Sequence, residues 1–199
     1  MQMKLVGLAA AVLLAVIGGT AYVALRPQAD GVCQTGTVAG GKIGGPFELL
    51  DKTGATVTDR DVITKPSLVY FGYTFCPDVC PLDTFRNVEA VDVLAARGID
   101  VTPVFISIDP KRDTPEVVGE FAENLHPKMV GLTGSEEQVA AASKAYRTYR
   151  KVNDDGSEYY LVDHSTFTYL VTPEEGFVDF YRRELTPEEM EDRVACHVK

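Results

Sequence analysis

Residues 67–81 read SLVYFGYTFCPDVCP and join an apolar run to a proline-flanked cysteine pair. The run through Tyr73 is short and almost wholly apolar, which is typical of a central strand buried on both faces. Pro77 and Pro81 fit best in the first turn of a helix, where the missing N–H is harmless. A buried strand followed at once by a helix is therefore predicted, and ligand sites of open α/β sheets lie beyond such strand ends.

The rest of the chain predicts an α/β domain with an extra N-terminal hairpin. Apolar residues at helical spacing from Leu82 to Leu94 predict a helix over 81–97. Thr114 can cap a helix over 115–125, Ser135 and Gln138 form a capping box for a helix to about Tyr149, and a last helix follows Thr186. Apolar runs predict further strands over 47–50, 55–58, 101–108, 159–162, 167–171 and 177–181. This order implies a mixed central sheet with helices on both faces, as in thioredoxin-like folds.

The N-terminus predicts a transmembrane helix. Leu5 to Leu25 is an uncharged run, and about 20 apolar residues span a bilayer. Lys4 before the run favours a cytoplasmic N-terminus. The alternative is a cleaved signal peptide with a small-residue site at 19–21, and both alternatives export the domain. The predicted organisation is an anchor over 1–26, a tether over 27–42 and one domain over 43–199.

The charge balance restricts the class of partner. The chain carries a net charge of −10, and because residues 1–26 hold two cations and no anion, the remainder carries −12. An acidic domain without a basic stripe repels nucleic acid, which excludes that partner. A metal cation or a cationic protein surface fits better.

Cys76 and Cys80 lie at the predicted strand-to-helix junction. The free N–H groups of a helix start favour thiolate, the form that binds metals and attacks disulfides. At this spacing the Cβ atoms lie about 5–6 Å apart, more than the roughly 3.5–4.5 Å of a disulfide. Two sulfurs on one metal can stand about 4 Å apart, so the spacing favours a shared metal without excluding a disulfide. Two inert core cysteines are the remaining alternative.

His164 is the candidate third ligand. It lies between two predicted strands, and in a thioredoxin-like sheet the loop at this position faces the cysteine loop. Two thiolates and one imidazole form a soft donor set that suits copper, Cu(I) above all, whereas zinc normally takes a fourth ligand. A histidine that is only hydrogen-bonded in a turn is the alternative. His126 fits a capping cation at a helix end, and His197 fits a solvated tail.

At these residues the chain resembles the Sco/SenC family, the copper chaperones of cytochrome c oxidase assembly. The resemblance rests on residues 70–81 (YFGYTFCPDVCP), 107–115 (SIDPKRDTP), 131–134 (GLTG) and 162–165 (VDHS), within a region of about 43–194. It implies a thioredoxin fold behind one N-terminal transmembrane anchor. It also implies one copper ion per domain, Cu(I) or Cu(II), bound by Cys76, Cys80 and His164, with Asp78 beside the metal.

The resemblance also implies partners and a location. An upstream donor would supply copper, and the domain would deliver it to the dinuclear copper centre of cytochrome c oxidase subunit II, together with a thiol-reducing role toward that subunit. The lack of an Arg- and Ser-rich presequence favours the bacterial inner membrane, with the C-terminal domain periplasmic. In that oxidising compartment the two cysteines outside the family motifs, Cys33 and Cys196, are expected to form a disulfide.

Two alternative functions use the same cysteines. One is an enzyme, a membrane-tethered thiol–disulfide oxidoreductase, and the other is a redox or copper sensor. The three-residue gap between Cys76 and Cys80 counts against the enzyme, because such enzymes typically use Cys-X-X-Cys. So does the lack of a counterpart to the thioredoxin cis-proline, since residues 164–166 occupy that region. The sequence does not separate a sensor from a chaperone.

Overall fold

The computed structural model describes residues 42–154 and 156–198. The predicted anchor over 1–26, nearly all of the tether over 27–42, and Cys33 lie outside these ranges. Within them, no helix combines the length and the apolar character of a membrane span.

The described residues form short strands and helices that alternate through most of the chain. The N-terminal part comprises β1 (Glu48–Leu50), β2 (Thr56–Thr58), α1 (Asp59–Val62), β3 (Ser67–Gly72), α2 (Val79–Ala96), β4 (Thr102–Ser107) and α3 (Pro115–Leu125). The C-terminal part comprises β5 (Val130–Leu132), α4 (Glu136–Ala145), β6 (Arg150–Asn153), β7 (Leu161–His164), β8 (Thr168–Thr172), β9 (Gly176–Tyr181) and α5 (Pro187–His197). The antiparallel pair of β1 and β2 confirms the predicted N-terminal hairpin.

A mixed five-stranded sheet lies at the centre, with strand order β5-β4-β3-β8-β9. Strands β3, β4 and β5 are parallel, while β8 runs antiparallel to both β3 and β9. All six residues of β3 are buried, as expected for an apolar strand that is covered on both faces. Strands β6 and β7 form a separate antiparallel pair.

Strand β3 contributes residues to two different cores. Leu68 packs in a core with Leu94 of α2 and Val194 of α5. Val69 packs in the other core, with Ala122 of α3 and residues of α4. Helices therefore cover both faces of the sheet, and the predicted α/β architecture is confirmed.

Several elements differ from the prediction. Helix α4 ends at Ala145 rather than near Tyr149, because Arg147 adopts a left-handed conformation with φ of 54°, which a helix cannot continue through. Helix α1, β5 and β6 were not predicted. Strand β5 has three residues and contains a glycine, and β6 is mostly exposed and polar, so neither has the apolar run that identifies a strand.

Candidate metal centre

The two cysteines lie at the start of α2, directly beyond β3. The backbone N–H of Cys76 donates to the carbonyl of Tyr73 at 3.2 Å, which closes the turn after the strand. Helix α2 then begins at Val79, so Cys80 lies in its first turn. Both cysteines are buried free thiols. The backbone N–H of Cys80 lies 3.4 Å from Sγ of Cys76, so the helix start faces that sulfur.

His164 reaches the cysteines from the β6–β7 pair. It is the last residue of β7, opposite Arg150 of β6, rather than part of a loop as expected. Its Nε2 atom lies 3.3 Å from Sγ of Cys80, and its Nδ1 atom lies 2.8 Å from the carbonyl oxygen of Ser165. A carbonyl only accepts, so Nδ1 carries a proton in this contact, and Nε2 is the ring nitrogen that faces the sulfurs.

The structure thus brings together the three ligands predicted from the sequence. The two sulfur atoms and a ring nitrogen of His164 all lie within 4.8 Å of one another. The group contains thiols and an imidazole but no carboxylate, which is the donor set that soft metal ions such as Cu(I) prefer. The chemistry of the residues therefore fits copper.

The cysteines do not titrate as two independent thiols. A hydrogen bond from Cys80 holds the pKa of Cys76 well below the usual range of a thiol, with further help from His164 and from the backbone N–H groups of Asp78 and Cys80. The same contact, together with burial, raises the pKa of Cys80. In the metal-free pair, Cys76 is the thiolate and Cys80 keeps its proton, which a bound metal would displace.

Two tyrosines flank the imidazole. The rings of Tyr70 and Tyr73 stand edge-on to His164, with centroids 6.3 and 5.9 Å from its ring. The hydroxyl of Tyr70 donates to the buried carboxylate of Asp83 at 3.1 Å, and that of Tyr73 accepts from the backbone N–H of Val162 at 3.4 Å. Sequence reasoning did not assign these tyrosines to the site, although both stand in the motif that precedes the cysteines.

Gly72 is a second residue that sequence reasoning missed. A Cβ atom at this position would lie 3.1 Å from Sγ of Cys80, 2.8 Å from the Tyr70 ring and 3.0 Å from the Phe105 ring. The absence of a side chain at the end of β3 therefore leaves room for the sulfur. The glycine was visible in the sequence, but this close approach depends on a helix and a neighbouring strand.

Asp78 lies between the two cysteines in the sequence but does not belong to the ligand group. It is the N-cap residue of α2, exposed, and its carboxylate makes no capping hydrogen bond. Its contribution to the described site is the backbone N–H that stabilises the Cys76 thiolate. Its predicted role beside the metal stays a prediction.

The other predicted residues lie apart from this group. The disulfide between Cys33 and Cys196 stays a prediction, because Cys33 is outside the described residues. His126 is the C-cap of α3, and its Nε2 atom lies 3.2 Å from Asp92. The expectation of a solvated tail at His197 is wrong, because its side chain is only 12% exposed and lies 3.7 Å from the buried Asp179.

The fold and the site define a thioredoxin-like protein with a cysteine–cysteine–histidine centre. The family model described as SCO1/SenC matches residues 36–199. The chain therefore belongs to the SCO1/SenC family, and the resemblance found in the sequence is confirmed.

Relatives and solved structures agree with this assignment. The chain is 57% identical to Protein SenC of Rhodobacter capsulatus over 192 residues, which cover 94% of this chain and 87% of that protein. The crystal structure of Arabidopsis thaliana ScoI with copper bound matches with a TM-score of 0.71 and 42% identity, covering 77% of this chain and 96% of the other. BsSco, a member of the Sco family of cytochrome c oxidase assembly proteins with an identified disulfide switch, matches with a TM-score of 0.60 and 25% identity, covering 79% and 95%.

Proposed function

We propose that this chain is a copper chaperone that binds one copper ion through Cys76, Cys80 and His164 and delivers it to the copper site of cytochrome c oxidase subunit II. The observation that carries the proposal is the approach of two thiols and one imidazole to within 4.8 Å. The copper bound to Arabidopsis ScoI, at 42% identity, supports the choice of metal. The role named for the family of BsSco supports the link to oxidase assembly.

Copper is the cargo, and the ligand set suits both of its oxidation states. The thiolates of Cys76 and Cys80 favour Cu(I), and the imidazole of His164 adds the borderline donor that Cu(II) also accepts. Delivery is ligand exchange, in which thiolates of the partner replace the three ligands in turn. Cys80 releases its proton when copper binds and regains one when copper leaves, so that binding of Cu(I) leaves the total charge of the site unchanged.

The proposal includes where transfer takes place. An N-terminal helix over 1–26 would anchor the chain in the bacterial inner membrane. The C-terminal domain would face the periplasm, where an upstream donor would supply its copper. The uncharged run from Leu5 to Leu25 supports the anchor. The acidic charge of the exported part supports encounter with a cationic partner surface.

Thiol–disulfide exchange is a second candidate function, because the pKa of Cys76 is lowered and a second thiol stands beside it. The Cys76 thiolate would attack a partner disulfide and release one partner thiol. Cys80, after losing its proton, would displace the other, leaving a Cys76–Cys80 disulfide. Two electrons would pass to the partner, and an external dithiol would be needed to restore the pair.

Copper titration separates the two candidates. The reduced protein and its His164→Ala variant are titrated with Cu(I), in competition with a chelator, and with Cu(II). The chaperone proposal expects one copper per chain and at least tenfold weaker Cu(II) binding in the variant. If the variant binds copper as tightly as the parent, and both reduce insulin disulfides rapidly, the reductase is the correct function.

A further inference from the structure

The loop between β4 and α3 contacts both ligand-bearing segments although it carries no ligand itself. We call this segment, residues 109–113 (DPKRD), the bracket loop, because it contacts the segments of both cysteine and histidine ligands. One ligand-bearing segment is the turn that leads into Cys76. The other is the stretch that leads into β7 and ends at His164.

Asp113 holds the cysteine side. Its carboxylate is completely buried and accepts hydrogen bonds from the backbone N–H of Thr74 at 3.0 Å and from the Thr74 hydroxyl. It also accepts from the hydroxyl of Ser107 at 2.6 Å. Thr74 stands two residues before Cys76, so this network fixes the start of the cysteine turn to the bracket loop.

Asp109 and Arg112 hold the histidine side. The carboxylate of Asp109 accepts from the hydroxyl of Tyr160 at 2.7 Å and from Nε of Arg112. Nη1 of Arg112 donates to the carbonyl of Glu158 at 3.2 Å, and its guanidinium carbon lies 3.6 Å from the centre of the Tyr160 ring. Tyr160 directly precedes β7, so these contacts fix the segment that carries His164.

Arg112 also reaches across to the cysteine side. Its guanidinium carbon lies 5.0 Å from the centre of the Phe75 ring and 5.5 Å from that of Tyr73. Its side chain is only 11% exposed. One planar cation thus contacts aromatic rings from both ligand-bearing segments, an arrangement that favours arginine over lysine.

We propose that Arg112 is the positioning residue that keeps the β7 segment against the cysteine turn, and so keeps Nε2 of His164 at 3.3 Å from Sγ of Cys80. As far as it concerns copper, the inference rests on the proposed function. The two thiolates share one turn and one helix, so they stay together without Arg112, whereas the imidazole comes from a separate strand pair. Loss of Arg112 therefore removes the third donor and weakens Cu(II) binding far more than Cu(I) binding.

Arginine variants of the full chain test this inference with and without copper. Arg112→Gln removes the cation and its planar fork, and Arg112→Lys keeps the charge alone. Arg193→Gln is the matched control, since Arg193 lies on α5, 3.0 Å from the buried Asp179 and 5.2 Å from the centre of the Tyr181 ring. The metal-free readout is the NMR shift of the His164 ring protons, which the edge-on rings of Tyr70 and Tyr73 displace. The copper readouts are the affinities for Cu(I) and Cu(II) and the nitrogen coupling in the Cu(II) EPR spectrum.

In Arg112→Gln, the His164 ring protons move toward the shifts of free histidine and the nitrogen coupling is lost. Cu(II) affinity falls at least tenfold while Cu(I) affinity changes less than threefold. In Arg112→Lys, the His164 shifts, the nitrogen coupling and the Cu(II) affinity are intermediate between those of Arg112→Gln and the parent. If Arg112→Gln does not fold, the comparison of Arg112→Lys with the parent is the test. Arg193→Gln keeps the parent's shifts and coupling even if it melts earlier.

Parent-like shifts and coupling in the Arg112 variants, or an equal loss of both copper affinities, would overturn the inference. If the parent binds no copper but Arg112→Gln still moves the His164 resonances, the proposed function fails while the positioning role stands. The two failures are therefore distinguishable.

Discussion

Nε2 of His164 lies 3.3 Å from Sγ of Cys80, although 84 residues separate the two along the chain. No local turn can set this distance, because Cys80 belongs to α2 while His164 ends a strand that pairs with β6. The metal centre therefore depends on the packing of the β6–β7 pair against the cysteine turn. A substitution can disturb the centre by moving either segment, or by filling the space that the sulfur of Cys80 occupies.

Gly72→Ala tests the space beside Cys80. The new Cβ atom would lie 3.1 Å from Sγ of Cys80 and 2.8 Å from the Tyr70 ring, so one of them must move. We expect the free energy of unfolding to fall by about 1–3 kcal/mol, the usual cost of overpacking, and Cu(I) affinity to fall at least tenfold.

Urea unfolding and competitive Cu(I) titration measure the two effects. Gly45→Ala is the matched control, because its Cβ atom would make an ordinary 3.4 Å contact with Ala145. Unchanged copper affinity in Gly72→Ala would show that the glycine does not protect the site.

Cys80→Ala tests the coupling of the two thiols. The hydrogen bond from Cys80 is the largest cause of the lowered pKa of Cys76, so its removal raises that pKa toward about 8.5, the ordinary value of a thiol. Less thiolate is then present at pH 6, so in the variant the rate of alkylation of Cys76 by iodoacetamide rises steeply between pH 6 and pH 8. In the reduced parent the rate stays nearly constant between pH 6 and pH 8. A parent rate that rises tenfold per pH unit would contradict the coupling.

Tyr70→Phe removes the hydroxyl that donates to Asp83 at 3.1 Å. The buried carboxylate loses a partner, which costs about 1–3 kcal/mol of unfolding free energy. Burial raises the pKa of Asp83, so the folded state takes up a proton more readily than the unfolded chain. The cost therefore shrinks as the pH falls through the folded pKa of Asp83, and urea unfolding at a series of pH values from pH 7 downward measures it. The idea fails if the loss of unfolding free energy stays constant or grows as the pH falls.

Leu82→Ala and Leu94→Ala make the same chemical change at two points of α2. Leu82 is 61% exposed, whereas Leu94 is completely buried. We expect Leu94→Ala to lower the unfolding free energy by about 2–5 kcal/mol and Leu82→Ala by less than about 1 kcal/mol, since surface changes are usually small. Urea unfolding compares the two variants. Equal losses of unfolding free energy would mean that Leu82 is covered by other residues in the native protein.

The sequence predicted those parts of the fold and site that have a local signal. The apolar run of β3, the capping residue Thr114 of α3 and the capping box at Ser135 each identify an element from neighbouring residues alone. The cysteines were recognised as ligand candidates because they lie at a predicted strand-to-helix junction, where the free N–H groups of a helix start favour thiolate. His164 followed from the order of elements, since thioredoxin-like topology places that segment opposite the cysteine turn.

The remaining features depend on contacts between distant segments. The close approach at Gly72 exists only when α2 packs against the end of β3. The contacts of Arg112 exist only when Tyr160 and Phe75, from two different segments, both lie next to it. Helical periodicity predicted Leu82 and Leu94 on the same apolar face of α2. The spacing alone does not show that Leu94 is buried while Leu82, near the N-terminal end of the helix, is exposed. Strand β6 escaped prediction because its residues are mostly polar and its partner, β7, is supplied by another segment.

X-ray absorption at the copper edge of the Cu(I)-loaded protein tests the central claim most directly. The proposed centre predicts one copper per chain with two sulfur neighbours and one nitrogen neighbour, and loss of the nitrogen in His164→Ala. A copper environment without two sulfurs, or one that His164→Ala leaves unchanged, would contradict it.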